Sequence, residues 1–86
     1  MQLDLFPTDL HLVSIDPAAN KWRFYSLSVQ PTLFGEWALV REWGRIGRGG
    51  CLRSDLYPSA GEALDALGAL AASKRKRGYR LPSRLR

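Results

Sequence analysis

The sequence predicts an α+β fold, a twisted antiparallel β-sheet of four to five strands with one main α-helix packed on one face. Two observations carry this prediction. Short apolar and aromatic runs separated by turn residues fill residues 10–57, and beyond Tyr57 the apolar spacing changes to that of a helix. The 86 residues provide enough chain for one domain with a modest core.

The predicted strands comprise residues 10–15, 21–29, 36–43 and 50–57. Each contains β-branched or aromatic residues, which favour strands. Turn signals such as Asp16-Pro17 and the segment from Pro31 to Gly35 separate them. Because the connections are short, an antiparallel meander is favoured over a sheet with crossover connections.

A helix is predicted after the last strand. Ser59 is expected to act as its N-cap, and Glu62 completes a capping box with it. Gly78 is placed to end the helix. Between them, small and aliphatic residues recur at helical spacing and form one apolar stripe. The stripe consists of Ala60, Ala63, Leu64, Leu67, Leu70 and Ala71.

Three segments are expected along the chain: an N-terminal arm of residues 1–9, a folded domain of residues 10–81 and a basic tail of residues 82–86. Leu3, Leu5 and Phe6 either belong to the free arm or pack on the sheet. No run approaches the roughly 18 apolar residues of a membrane span, and the first residues lack the pattern of a signal peptide. The single cysteine, Cys51, suits a reducing compartment, so we expect a cytoplasmic protein, and we expect it to be a monomer.

Positive charge is concentrated in two places. Residues 1–73 hold six Lys and Arg against eight Asp and Glu, a net charge of −2, whereas residues 74–86 hold seven Lys and Arg and no acid. A second basic cluster lies between Arg41 and Arg53, where Glu42 is the single acid. This distribution predicts a localised anion-binding face, although a solvated tail that serves solubility alone is the alternative.

The most informative segment is Trp43-Gly44-Arg45, at the end of the third predicted strand. Residues two apart on a strand point to the same side of a sheet, so the indole and the guanidinium share a face. An aromatic ring beside a cation is suited to nucleic acid, because the ring stacks on bases or sugars and the cation binds phosphate. The alternative is a core Trp and an Arg in a surface ion pair.

The period of two places Trp37, Leu39 and Arg41 on the same face as that pair, which indicates that part of the face is core. A bulge or twist near Gly44 is one way to separate a core half from an exposed half. In the second strand Lys21 and Arg23 alternate with aromatic residues and form an adjoining basic edge.

An ordered set of residues across the chain resembles the WGR domain, a family named for its Trp-Gly-Arg signature. The matching positions are Asn20-Lys21, Phe24-Tyr25, Thr32 to Trp37, Leu39, Arg41, Trp43 to Gly47, Gly50 and Lys74 to Tyr79. They extend over nearly the whole chain, which is similar to the small stand-alone bacterial members and related to the WGR domain of poly(ADP-ribose) polymerases.

The resemblance implies a role for the signature. It implies that Trp43 packs against the sugar at a DNA end and that Arg45 contacts phosphate or a partner domain. These 86 residues contain no ADP-ribosyltransferase or helical regulatory domain, so the signalling part of the polymerase role does not carry over within them. Arg45 is therefore expected to bind phosphate, to brace the turn, or to meet a separate protein.

Catalysis is not predicted. His11 is the one histidine, so there is no Ser-His-Asp relay, and one Cys with one His cannot form a zinc set. Arg48-Gly49-Gly50 lacks the Gly-Lys-Ser/Thr of a phosphate-binding loop. We expect no cofactor and no metal.

The sequence thus predicts a non-enzymatic module that binds nucleic acid, with DNA favoured and ends or nicks as the target. The alternative is a protein-interaction module that docks an acidic partner through the same surface. The predicted binding residues are Trp43, Arg45, Arg41, Arg48, Lys21, Arg23, Lys74, Arg75, Lys76 and Arg77. The four cations from Lys74 to Arg77 exceed what compensation of the helix dipole requires, so they are expected to contact phosphate.

Overall fold

Four strands follow one another along the chain and pair in the same order. In the computed structural model, which describes residues 8–82, they are β1 (Asp9–Asp16), β2 (Lys21–Pro31), β3 (Trp37–Arg45) and β4 (Cys51–Tyr57). Each neighbouring pair is antiparallel, and the sheet order is β1-β2-β3-β4. The predicted antiparallel meander is confirmed, with four strands. The expectations for Leu3, Leu5 and Phe6 lie outside the described residues.

The connection between β1 and β2 is a short 3-10 helix, Pro17–Ala19. It ends at Asn20, whose backbone is left-handed with φ 53°. Asparagine tolerates this conformation better than most residues because its short polar side chain bonds locally. The turn therefore closes where the sequence has the residue suited to it.

One helix, α1 (Ala60–Lys76), follows β4 after two residues. The Ser59 hydroxyl accepts a hydrogen bond from the Glu62 backbone N–H at 3.2 Å, which confirms the predicted N-cap. The Glu62 carboxylate accepts from the Ser59 hydroxyl at 3.3 Å, instead of from the Ser59 backbone N–H of a full capping box. Gly78 follows the C-cap with φ 99°, so the predicted helix end is also confirmed.

The core lies between α1 and one face of the sheet. Leu12, Leu27 and Leu39 come from the three neighbouring strands β1, β2 and β3, and each is at most 2% exposed. The helix contributes small and aliphatic residues of the predicted stripe. Those that are buried are Ala63, Leu67 and Ala71. Their small size allows the helix to lie close to the strands, and burial of this apolar surface is the main stabilising term.

The strand register places the signature on the helix-facing side of the sheet. Trp37 and Trp43 both pack against the buried cluster, and Leu39 between them is part of it. The β2–β3 register is unbroken from Arg23↔Arg45 to Pro31↔Trp37. A bulge near Gly44 is therefore absent from this pairing, and the core half and the exposed half of the face form one continuous surface.

The segment after the helix returns to the outer edge of β1. Arg80 and Val13 exchange two backbone hydrogen bonds, each 2.8 Å long. This pairing holds the preceding residue, Tyr79, against the sheet, where its ring meets the ring of Tyr25 at 6.1 Å in an edge-to-face arrangement. The chain beyond α1 thus contributes a side chain to the helix-facing side.

Candidate nucleic-acid interface

Two adjoining depressions lie where the C-terminal end of α1 meets the helix-facing side of the sheet. The larger, about 460 Å³, is lined by Lys21, Arg23, Tyr25, Arg41, Trp43, Arg53, Lys74, Arg77 and Tyr79. The smaller, about 380 Å³, is lined by Arg23, Trp43, Gly44, Arg45 and Tyr79. We call the two together the basic groove. Its lining within the described residues contains seven cations and no carboxylate, so it is electrostatically suited to a polyanion.

Strand register explains why these cations meet. Arg23 lies opposite Arg45, and Arg41 lies opposite Arg53. Residues paired across an antiparallel ladder project to the same face, about 4.5–5.5 Å apart. The sheet therefore collects cations that are distant in sequence, at the cost of repulsion that a bound polyanion would relieve.

Aromatic rings form the floor of the basic groove. Trp43 stacks on Tyr25 with ring centres 5.8 Å apart and planes 18° from parallel. Tyr79 meets the same tyrosine edge-to-face, and the Lys74 ammonium lies 4.4 Å from the Tyr25 ring centre. Tyr25 is buried, whereas Trp43 and Tyr79 are half-buried. The row thus has a fixed centre and two partly exposed rings, of which Trp43 is both a core residue and a groove residue.

Arg41 is held within the protein. Its guanidinium donates to the Tyr25 hydroxyl at 3.4 Å and to the Asp55 carboxylate at 3.2 Å, and its side chain is 17% exposed. The hydrogen bond with Tyr25 raises the pKa of Arg41, opposed in part by burial, and Asp55 adds to the rise. Arg53 also pairs with Asp55, at 3.2 Å. Asp55 thus partly neutralises both arginines, of which Arg41 is largely buried and Arg53 is 62% exposed.

Arg45 is exposed and reaches across the sheet end to the β1–β2 turn. It donates to the backbone carbonyl of Asn20 at 3.3 Å and to the Asn20 side-chain oxygen at 3.2 Å. The guanidinium thus fastens the left-handed turn residue to the end of β3. Of the roles predicted for Arg45, bracing the turn has a direct structural observation.

The four cations at the helix end divide into two pairs. Lys74 lies in the last turn of α1 and Arg77 is its C-cap, three residues further on, and both line the basic groove. Arg75 and Lys76 are exposed and do not line it. Arg48 is exposed in the β3–β4 turn and also lies outside the lining.

Sequence reasoning missed Tyr25, Tyr79 and Arg53 as groove residues. The alternation of β2 already placed Tyr25 on the face of Lys21 and Arg23. Arg53 was hidden because its place depends on the register between β3 and β4. Tyr79 was hidden because it depends on the tertiary pairing of Arg80 with Val13.

The sequence pattern of the WGR domain matches residues 8–85 of this chain. The chain belongs to the WGR domain family. Uncharacterized protein y4dW of Sinorhizobium fredii (strain NBRC 101917 / NGR234) is 39% identical to this WGR domain over 74 residues. That alignment covers 86% of this chain and 36% of the relative, so the chain spans about a third of the relative's length. No solved structure matches the chain.

The glycine of the WGR signature has a packing reason here. A methyl group at Gly44 would lie 2.9 Å from the Cα atom of Gly50, and one at Gly50 would overlap the Trp43 carbonyl. The two backbones approach each other where β3 and β4 diverge into their turn, and a side chain at either position would force them apart. The glycine pair therefore allows the backbone after Trp43 to pass close to the start of β4.

Within residues 8–82, no group of three or more His, Cys, Asp or Glu side chains is placed to hold a metal ion. None of the described helices has the length and apolar character needed to cross a membrane. Cys51 is an exposed free thiol at the start of β4.

Proposed function

We propose that this protein is a non-enzymatic DNA-binding module whose basic groove receives a DNA end or nick. The observation that supports this most strongly is the convergence of seven cations on an aromatic row in one groove. Cations supply sequence-independent attraction to phosphate, and a half-buried indole supplies a stacking surface. The single cysteine, Cys51, suits a reducing compartment, which supports action in the cytoplasm.

The cations of the basic groove are proposed to have two different roles, phosphate contact and support of the groove floor. Lys21, Arg23, Lys74 and Arg77 form no ion pair with any described residue and would contact phosphate. Arg45 would add a contact at the smaller depression while keeping the Asn20 turn in place. Arg41 and Arg53 would support the floor from their pairing with Asp55.

A position for the DNA terminus follows from the two half-buried rings. Trp43 lines both depressions, as does Tyr79, so a sugar or base that enters the groove meets an aromatic surface with cations on each side. A continuous duplex shields its bases, whereas an end or nick exposes one. This supports the family-based expectation that Trp43 packs at a terminus.

An acidic protein is the competing ligand for the same cations. Carboxylates gain from the charge but gain little from stacking on Trp43 and Tyr79, so the aromatic row favours nucleic acid. Trp43→Ala should weaken binding to blunt and nicked DNA by about 1–3 kcal/mol and leave binding to a polyglutamate chain unchanged, and this result would support the distinction.

A salt titration with two matched double variants tests the proposal. Four to five phosphate contacts predict that log K falls against log salt with a slope of about −4. Lys74→Gln with Arg77→Gln should flatten that slope by about 2, near 0.9 for each lost contact. Arg75→Gln with Lys76→Gln removes the same charge from the same helix but lies outside the groove lining, so the slope should change by less than about 0.5.

Blunt, nicked and closed circular duplexes should be titrated in parallel. The proposal expects tighter binding to the blunt and nicked forms, and the preference should persist in both double variants because it is assigned to Trp43. An affinity that is flat between low and physiological salt would refute DNA binding through the groove. If the two double variants change the salt slope equally, the proposal that only Lys74 and Arg77 contact phosphate is refuted.

A further inference from the structure

The two edges of the sheet differ. At the β1 edge, the returning segment bonds to Val13 through Arg80. Along β4, no backbone group among residues 8–82 pairs with the outer edge. β4 is seven residues long, and an open edge of this length is a template for another strand unless it is blunted.

The backbone hydrogen bonds show which β4 groups point outward. The Thr32 backbone N–H donates to the Glu36 carbonyl, and the Ile46 N–H donates to the Trp22 carbonyl. The β2–β3 pairs of even-numbered residues are therefore the hydrogen-bonded ones. Bonding alternates along an antiparallel strand, so the odd residues of β3 bond to their odd partners in β4. The N–H and C=O groups of Leu52, Ser54 and Leu56 therefore point away from the sheet.

The side chains of β4 are self-complementary about Ser54. If two copies of β4 pair antiparallel with Ser54 opposite Ser54, Arg53 faces Asp55 of the second copy, and Leu52 faces its Leu56. Leu52 and Leu56 lie on the face of the sheet opposite α1 and are 67% and 57% exposed, an unusual exposure for strand leucines. We propose that the outer edge of β4 is the interface with a second copy of this chain, in this register.

This register also satisfies the backbone. The three residues whose backbone groups point outward are Leu52, Ser54 and Leu56. In this register each of them lies in a hydrogen-bonded pair, so all of their outward N–H and C=O groups bond to the second copy. Arg53 and Asp55 fall on non-hydrogen-bonded pairs, where side chains approach most closely. The interface repeats each contact twice by two-fold symmetry, as an isologous dimer requires. A shift by one residue would bring Arg53 opposite groups that do not complement it and would leave outward backbone groups unpaired.

The pairing would join two sheets into one of eight strands. Its two-fold axis is perpendicular to the sheet, so both helices and both basic grooves lie on the same side. Trp43 pairs with Cys51, three residues from Ser54. Standard strand spacing and rise then place the two Trp43 side chains about 25 Å apart. This distance corresponds to about seven base pairs of duplex DNA. Its relevance to DNA rests on the proposed DNA binding, whereas the dimer itself does not.

Sedimentation velocity without DNA tests the dimer separately from the proposed function. A seven-residue edge buries less than a stable interface does, so we expect the monomer predicted from the sequence at low concentration and weak self-association as the protein concentration is raised to about 1 mM. Ser54→Pro removes an outward N–H, and proline is tolerated at such positions of edge strands. It should raise the dimer dissociation constant at least about tenfold, through loss of both central hydrogen bonds.

Two double variants with opposite charges test the register. Their substitutions are at exposed positions, so the fold is expected to be kept. A variant with Lys at positions 52 and 56 (Leu52→Lys, Leu56→Lys) should be monomeric, and so should the variant with Glu at both, because like charges then face each other. An equal mixture of the two should recover a heterodimer. Leu33→Lys with Phe34→Lys is the matched control and should leave association unchanged, since these side chains are 96% and 86% exposed on the β2–β3 loop and are not part of β4.

A wild-type protein that stays monomeric at about 1 mM would overturn the proposal. A dimer that is insensitive to Ser54→Pro, or a mixture of the Lys and Glu variants that does not associate, would also overturn it. If Ser54→Pro proves to be unfolded by circular dichroism, the mixture alone decides. If the wild-type protein dimerises but does not bind DNA, the proposed function is refuted and this inference stands.

Discussion

Trp43→Ala is expected to reduce both stability and DNA binding, by amounts that the structure separates. A fully buried Trp truncated to Ala costs about 3–5 kcal/mol of the free energy of unfolding. Trp43 is half-buried and stacks on one ring, Tyr25, so we expect a loss of about 2 kcal/mol. For a domain of this size, that lowers the melting temperature by roughly 10 °C.

The effect on binding has a different origin. Trp43 is the aromatic residue of the signature and lines both depressions of the basic groove. Loss of a stacking platform weakens nucleic-acid binding by about 1–3 kcal/mol, a factor of roughly 5 to 150. We expect this loss for blunt and nicked duplexes, with little change for closed circles, and Trp43→Phe should recover most of it because a ring remains.

Leu39→Ala separates stability from binding. Leu39 is fully buried and does not line the groove, so its truncation should cost about 3 kcal/mol of stability, more than Trp43→Ala. Affinity should nevertheless stay within about twofold at 25 °C, where the folded state still dominates. Thermal unfolding and fluorescence anisotropy on the same samples give both quantities. If the two variants lose affinity equally, or if Trp43→Ala unfolds the protein, Trp43 is a core residue alone.

Two further variants probe the surroundings of the signature. Gly50→Ala should destabilise by about 1–3 kcal/mol because its methyl group overlaps the Trp43 carbonyl, whereas Gly49→Ala, with open space around it, should stay within about 0.5 kcal/mol in chemical denaturation. Arg45→Ala should cost less than about 1 kcal/mol of stability, since its bonds to Asn20 are exposed, and should flatten the DNA salt slope by about 0.9. Arg45→Lys keeps the charge, so its salt slope should match that of the wild type. If Arg45→Lys changes the slope as much as Arg45→Ala does, Arg45 acts by bracing the Asn20 turn and not by contacting phosphate.

Local patterns were sufficient for the elements of the fold. The helix was predictable from Ser59 to Gly78 because its cap, its stripe and its ending glycine are all encoded within one stretch of chain. The strands were predictable for the same reason, with no predicted boundary more than two residues from the observed one. Alternation along β2 and β3 also placed Lys21 with Arg23 and Trp43 with Arg45, and the β2–β3 register brings the two pairs onto one face.

The composition of the site required contacts between segments far apart in sequence. The basic run from Lys74 to Arg77 reads as one patch along the chain, but helix geometry directs Lys74 and Arg77 into the groove and leaves Arg75 and Lys76 outside. Arg41 reads as a free cation, yet Asp55 and Tyr25 hold it through the pairing of β3 with its two neighbours.

The sequence by itself determined the order of the elements, the WGR family and the face that carries the signature, because each of these depends on spacing within one or two turns or strands. The tertiary structure decided which cations share a groove, that Tyr25 and Tyr79 form its floor with Trp43, and that no backbone group among residues 8–82 pairs with the outer edge of β4. Those features depend on strand register and on where the chain returns after the helix, and both arise from packing of the whole domain.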